Sequence, residues 1–210
     1  MRLKRADLPP VYAITDIPGD GDYAALAASL AAAGLRWIQI RIKSLSDTDT
    51  FRQVNQAVLS APGATIIIND RTDFAVAAHA SGVHLGESDL PPHAARRVPG
   101  SAEIILGFST HDAQAALRAA GNESVDYVAI GPIFRSPTKN VREPLGLEIL
   151  RKIRPSIEKP IVAIGGIDAS NIASVLRAGA DSAAVISALD QNGDLCAAAD
   201  RLMKAIEEGR

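Results

Sequence analysis

Cysteine is almost absent from this chain. Cys196 is the single one in 210 residues, which excludes an internal disulfide framework and fits a reducing compartment. An excess of charge is missing too. The 22 basic and 24 acidic side chains leave a net charge of −2, so nothing points to nucleic acid or an anionic membrane as partner. The Ala-rich stretch Ala24–Leu35 is too short to cross a bilayer and is interrupted by Ser29 and Gly34, so it reads as a packed helix. Met1–Arg5 is basic, but Asp7 and Pro9-Pro10 follow where a signal peptide needs an apolar run. A cytoplasmic protein is expected. The turn 12–21 lacks G-x-G-x-x-G, which weakens a dinucleotide-binding reading. No linker, low-complexity tract or charge block divides the chain, and residues 1–210 are expected to form one domain.

What is there is a regular alternation in a chain that is 47% hydrophobic. Strands are predicted at Val11–Ile14, Trp37–Ile42, Thr65–Ile68, Val83–Leu85, Ile104–Leu106, Tyr127–Ile130, Ile161–Ile164 and Ala183–Ile186. The helices between and after them are predicted at Tyr23–Ala33, Thr48–Leu59, Thr72–His79, Pro92–Arg97, Asp112–Ala120, Leu147–Ile153, Ala169–Ala178 and Asp194–Glu207. Eight such units point to a single (β/α)₈ TIM barrel. A doubly wound open sheet would also alternate, but it seldom needs eight units. Cys196 falls in the last helix, and a small core residue is expected there. The segment 131–146 is the longest irregular one, and its length suggests a lid.

The active site of such a barrel lies where strands end and the following loops begin. In strand two, Gln39, Arg41 and Lys43 alternate with Ile38, Ile40 and Ile42. Period-two alternation sends the polar three towards the lumen mouth and the isoleucines towards the helices. Strand three ends in Asn69-Asp70, and Asp89 follows strand four. Two carboxylates converging with open positions suit Mg²⁺, which takes its remaining ligands from water and substrate phosphates. Arg41, Lys43 and Lys139 would then face a diphosphate. Gly165-Gly166 and Ile186-Ser187, after strands seven and eight, form a second phosphate subsite.

The chain resembles the thiamine-phosphate synthase family over nearly its whole length. The residues that carry the resemblance are Tyr12–Asp16, Gln39–Lys43, Ile68–Arg71, Gly82–Gly86, Gly131–Phe134, Thr138-Lys139 and Ala163–Ile167, in this order. The resemblance implies a transferase that joins hydroxymethylpyrimidine diphosphate to a thiazole phosphate and releases diphosphate. It implies that Gln39, Ile40, Arg41, Ile42, Lys43, Asn69, Ser109 and Lys139 hold the pyrimidine diphosphate. Of these, Arg41, Lys43, Ser109 and Lys139 would bear on the chemistry. Asp70 and Asp89 would bind Mg²⁺. Ser136, Pro137, Thr138, Gly166, Ile186 and Ser187 would hold the thiazole phosphate.

The chain departs from the family pattern at Ile42, at Glu87-Ser88 and at Arg135-Ser136-Pro137. Ile42 replaces an acid on the helix-facing side, where packing rather than catalysis should respond. The altered 135–137 segment bears on thiazole selectivity. Plainer readings stand beside the functional ones. Asp70 could cap the following helix, Lys43 and Lys139 could be solvated loop lysines, Gly165-Gly166 could serve packing, and His84 could be a satisfied core histidine. His79 and His93 read as surface residues. A related barrel, thiazole tautomerase, uses a histidine after strand five, and His111 stands there. A barrel that binds thiamine precursors without turnover is a third reading, disfavoured by the diphosphate-binding set. The expected partners are phosphorylated small molecules, and a homodimer is left open.

Overall fold

Eight short parallel strands close on one another in chain order. The computed structural model describes residues 3–16, 21–135, 143–189 and 193–209. The strands are β1 (Val11–Ile14), β2 (Trp37–Ile40), β3 (Thr65–Asn69), β4 (Gly82–Leu85), β5 (Ile105–Thr110), β6 (Tyr127–Ile130), β7 (Ile161–Ile164) and β8 (Ser182–Val185). The helices are α1 (Tyr23–Ala32), α2 (Asp47–Ser60), α3 (Thr72–Ala77), α4 (Pro92–Ala95), α5 (Ala113–Gly121), α6 (Glu148–Ile153), α7 (Ile172–Arg177) and α8 (Leu195–Glu208). This is the (β/α)₈ barrel that the alternation predicts. Among the described residues, no helix is long and apolar enough to cross a membrane.

The largest departures from expectation are at β5 and α7. Phe108, Ser109 and Thr110 lie beyond the predicted end of strand five at Leu106, yet they pair with Val128, Ala129 and Ile130 of β6. The barrel needs that partner for β6, and pairing overrides local polarity. α7 starts three residues later than expected because Asp168 turns the chain first. Its Oδ1 accepts the amide of Ser170 at 2.8 Å and the Ser170 hydroxyl at 2.6 Å. β2 stops at Ile40, and the next amide, that of Arg41, donates instead to Thr15 Oγ1 at 3.1 Å.

Side-chain alternation sorts the core into two layers. Ile38, Ile40, Ile66, Ile68, Val83 and Val128 point outward and pack against the helices. Tyr12, Trp37, Ile67, Tyr127 and Val162 point inward and fill the lumen, with Leu8 packed against them. Tyr12, Trp37 and Tyr127 meet edge to face at centroid separations of 5.6, 5.8 and 6.1 Å. Such geometry matches the positive ring edge to the negative ring face. Gly107 makes room for this trio: a Cβ there would lie 2.0 Å from Tyr127 Cζ.

Polar side chains close the helix ends. Asp22, Ser46, Asp112 and Asp194 each accept the amide three residues on, at 2.8, 3.2, 2.7 and 3.0 Å. Each such cap contributes about 1 kcal/mol. Asp112, expected within its helix, is therefore the cap before it. α8 buries Ala198, Ala199, Leu202 and Ile206. Cys196 lies off that stripe and is exposed, which corrects its expected place in the core.

The strand starts are tied by two partly buried aspartates. Asp126 Oδ2 accepts the Leu106 amide at 2.8 Å and pairs with Arg96 at 2.5 Å. Asp181 Oδ2 accepts the Ile161 amide at 2.8 Å and pairs with Arg154 at 2.7 Å, while Arg5 reaches its other oxygen at 2.6 Å. Only 8% of the Asp181 side chain is accessible, so its removal strands the Arg154 cation. Asp181→Ala is expected to cost about 3 kcal/mol in urea unfolding. A loss below about 1 kcal/mol, the range of surface pairs, would contradict this account.

Candidate active site

The C-terminal ends of β1 to β5 bring most of the expected side chains together. Gln39 turns inward and is nearly inaccessible, at 3%. Its amide nitrogen donates to Tyr12 Oη at 3.1 Å. Arg41 stands at the rim, where Nη1 pairs with Asp16 at 2.5 Å. Thr15 braces both strands by donating to the Gln39 carbonyl at 3.1 Å. Asp16 and Thr15 were visible after strand one but carried no assignment; their position after the first strand was the available signal. Ile40 and Ile42 pack outward with the helical layer. That agrees with a packing role for the departure at Ile42.

Asp70 is held in an unusual backbone state. Its φ is +65°, a left-handed conformation that few residues other than glycine adopt, though aspartate tolerates it better than most. Its amide donates to the His84 carbonyl at 2.8 Å. The N-cap of α3 is Arg71, with no side-chain cap bond, so Asp70 is not the helix cap that a plain reading allowed. Instead its Oδ2 meets Lys43 Nζ at 2.9 Å. Arg71 is turned aside: it bonds Asp73 and Asp47 and lies 3.6 Å over the Phe74 ring.

Asp89 completes the cluster. Its Oδ2 accepts the Gly86 amide at 2.7 Å. Burial holds its carboxyl above the usual carboxylate range, and the adjoining Asp70 carboxylate pushes the same way, while the Gly86 N–H and the Lys43 ammonium oppose them. A carboxylate pair that resists a second negative charge is a site that gains from a cation. Among the described residues, no third acid, histidine or cysteine joins them in a ligand cluster. Two carboxylates with open positions are the donor set that suits Mg²⁺, the rest of its shell coming from water and phosphate oxygens. A cavity of about 220 Å³ runs from Asp70 and Lys43 outward between the strands and α2, lined by Ile40, Ile42, Val54 and Ile68 among others, and Asp89 is not part of its lining. Asn69 closes β3, in register with His84, and shares the inward face with Ile67.

Further round the rim, Ser109 Oγ lies 2.8 Å from His84 Nε2. His84 Nδ1 lies 2.8 Å from Tyr127 Oη, so both ring nitrogens are partnered and the reading of a satisfied core histidine holds. Burial drives His84 down to about 4, only partly opposed by Asp70. His111 Nδ1 lies 2.8 Å from the Gly131 carbonyl. His79 and His93 are on the surface. Tyr12 enters the sequence reading only through the family resemblance and Tyr127 only as the start of a strand; both face the lumen.

Gly165 and Gly166 follow β7 with φ of +102° and +64°. A Cβ on Gly166 would lie 2.5 Å from the Arg135 carbonyl oxygen, and one on Gly165 would lie 2.7 Å from Pro132 Cα. Both glycines thus admit the chain that follows β6, whose Phe134 amide donates to the Gly165 carbonyl at 3.0 Å. Ile186 and Ser187 follow β8, Ile186 half-buried against the lumen and Ser187 exposed. The two ends of the long loop are tied together: Leu145 donates to Pro132 at 2.8 Å and Gly146 to Ile133 at 3.0 Å. Ser136, Pro137, Thr138 and Lys139 lie outside the described residues.

A closed parallel barrel with a carboxylate pair and basic side chains at its C-terminal mouth defines the class of barrel enzymes. A model of the family described as thiamine monophosphate synthase matches residues 11–189, and the chain belongs to that family. It is 43% identical over 211 residues to the thiamine-phosphate synthase of Methanoculleus marisnigri, covering 95% of this chain and 98% of the relative. With the thiamine-phosphate synthase of Albidiferax ferrireducens the identity is 40% over 202 residues, covering 94% and 91%. The solved thiamine phosphate pyrophosphorylase from Pyrococcus furiosus superposes with a TM-score of 0.83 at 33% identity, covering 95% and 96%. The chain is accordingly an enzyme of the transferase class.

The buried His84 gives the fold a pH dependence. The folded ring resists the proton that an unfolded ring accepts near 6.5, so acid favours the unfolded chain. Stability is expected to fall as pH drops from about 6.5 towards 4, by up to about 3 kcal/mol. Urea titrations of wild type and His84→Gln check this. Equal losses in the two proteins would contradict it.

Proposed function

We propose that this chain couples hydroxymethylpyrimidine diphosphate to a thiazole phosphate and releases diphosphate, with Mg²⁺ held by Asp70 and Asp89. The observation that carries the reading is the adjoining pair of carboxylates beside the Lys43 ammonium at one rim of the barrel. Acids and bases this close serve together when an ion and a diphosphate lie between them.

The reaction breaks a C–O bond and makes a C–N bond. The electron pair of the C–O bond leaves with the diphosphate oxygen, and the thiazole nitrogen supplies the new pair. A bound Mg²⁺ supplies positive charge to the departing group. Arg41 and Lys43 add theirs by exchanging Asp16 and Asp70 for phosphate oxygens, which needs only rim side chains to move. The aminopyrimidine ring can delocalise charge left on its carbon, which favours a dissociative path. Gln39, Asn69 and Ser109 line the inner wall for the pyrimidine. Lys139 would add a further cation from the long loop. Gly166, Ile186 and Ser187, with Ser136, Pro137 and Thr138, would receive the thiazole phosphate after β7 and β8. No protein nucleophile is needed.

Purified protein, Mg²⁺ and both substrates should yield thiamine phosphate and diphosphate. Asp70→Ala and Asp89→Ala are each expected to lower turnover at least roughly 10²-fold while the barrel stays folded. Undiminished turnover in either variant would remove the metal assignment. Lys139→Ala should raise the KM for the pyrimidine diphosphate far more than that for the thiazole. The same mixture without the pyrimidine diphosphate tests an isomerase in which His111 acts as acid and base.

A further inference from the structure

Below the mouth, five polar side chains cross the lumen in single file. Gln39 Nε2 lies 3.1 Å from Tyr12 Oη, and Tyr12 Oη lies 3.0 Å from Tyr127 Oη. Tyr127 Oη lies 2.8 Å from His84 Nδ1, and His84 Nε2 lies 2.8 Å from Ser109 Oγ. Each comes from a different strand, β2, β1, β6, β4 and β5 in turn. The two phenols are almost wholly buried, Tyr12 at 1% and Tyr127 at 0%.

With the Gln39 amide nitrogen turned towards Tyr12 Oη, counting hydrogens gives the file a direction; with the amide turned over it would run the other way. The Gln39 amide nitrogen can only donate, so the Tyr12 oxygen accepts there. The Tyr12 proton then needs an acceptor, and Tyr127 is its other polar neighbour. Were Tyr127 to donate to Tyr12 instead, the Tyr12 proton would be buried with no acceptor in the file, an arrangement protein interiors avoid. So Tyr12 donates to Tyr127, and Tyr127 donates to His84 Nδ1. The ring proton of His84 then sits on Nε2 and is given to Ser109 Oγ. The Ser109 hydrogen is left over at the end of the file, on the side of the mouth.

We propose that Tyr12, Tyr127 and His84 are positioning residues that hold Ser109 as a hydrogen-bond donor towards an acceptor atom of the pyrimidine diphosphate. The same polarity denies the alternative, in which His84 takes the Ser109 proton and makes the serine a nucleophile. The catalytic consequence rests on the substrate reading above; the polarity itself does not. Gly107 is part of the device. A Cβ there would lie 2.3 Å from the Tyr127 oxygen, so the missing side chain is what lets the phenol reach His84.

The test begins with ligand-free protein. Ring ¹⁵N shifts, with His84 assigned from the signal lost in His84→Gln, should show Nδ1 bare and Nε2 protonated. Tyr127→Phe removes the donor to Nδ1 and, with it, the acceptor of the buried Tyr12 proton, so its thermal midpoint should fall, and Tyr12→Phe/Tyr127→Phe removes that stranded proton as well. Either folded variant should release the fixed tautomer and lower kcat for coupling roughly 10²-fold, with the KM for the thiazole phosphate unchanged. His84→Gln keeps an N–H for Ser109 and should retain clearly more activity than His84→Leu. A proton on Nδ1 in the wild type would overturn the proposal even if every variant misfolds. Wild-type kcat in a folded Tyr127→Phe would overturn it as well, as would equal activity of His84→Gln and His84→Leu. A wild-type protein that makes no thiamine phosphate would count against the substrate reading, while the spectrum would still decide the polarity.

Discussion

Two negative charges brought together at the end of β3 and after β4 dominate the chemistry of this molecule. Like charges in a partly buried site repel, and a fold keeps them only where something compensates. Here the compensation in the free protein is partial: one ammonium from Lys43 and one amide from Gly86. The left-handed backbone at Asp70 adds a local cost of about 1 kcal/mol or more. Strain and repulsion at one rim are tolerated because the barrel below is tightly packed. The lumen below is filled by aromatic and aliphatic side chains, and the opposite face is locked by Asp126 and Asp181 with their arginines.

The barrel therefore divides its labour along its axis. At the N-terminal end, partly buried acids are satisfied by arginines and strand amides. At the C-terminal end, acids and bases are held apart from full neutralisation by residues on different strands. Between the two lies the polar file from Gln39 to Ser109. It couples the packed lumen to the mouth, since a shift of any of its rings would move Ser109. Gly107, Gly165 and Gly166 each admit a neighbouring group where a side chain could not fit.

Much of this was legible in the residues themselves. The alternation of Gln39, Arg41 and Lys43 with three isoleucines gave the inward face of β2, and the abrupt polar ends of β3 and β4 placed the acids. These signals are local, because strand periodicity and strand ends are local. β5 was read too short because its pairing with β6 is not a local property of Phe108-Ser109-Thr110. Asp16 as partner of Arg41, and the link from Tyr127 to His84, join strands far apart in sequence and show only when the sheet closes. Cys196 stays outside the core because the buried stripe of α8 is set by Ala198, Leu202 and Ile206, which apolar character alone does not reveal.

In the proposed reaction Asp70 and Asp89 would share a divalent cation that grips the leaving diphosphate. A crystal structure of the protein with Mg²⁺ and pyrophosphate tests it most directly. One ion bound by an oxygen from each carboxylate and by phosphate oxygens is expected, with Lys43 moved from Asp70 to the phosphate. An ion bound elsewhere, or pyrophosphate seated with the two carboxylates turned apart, would contradict it.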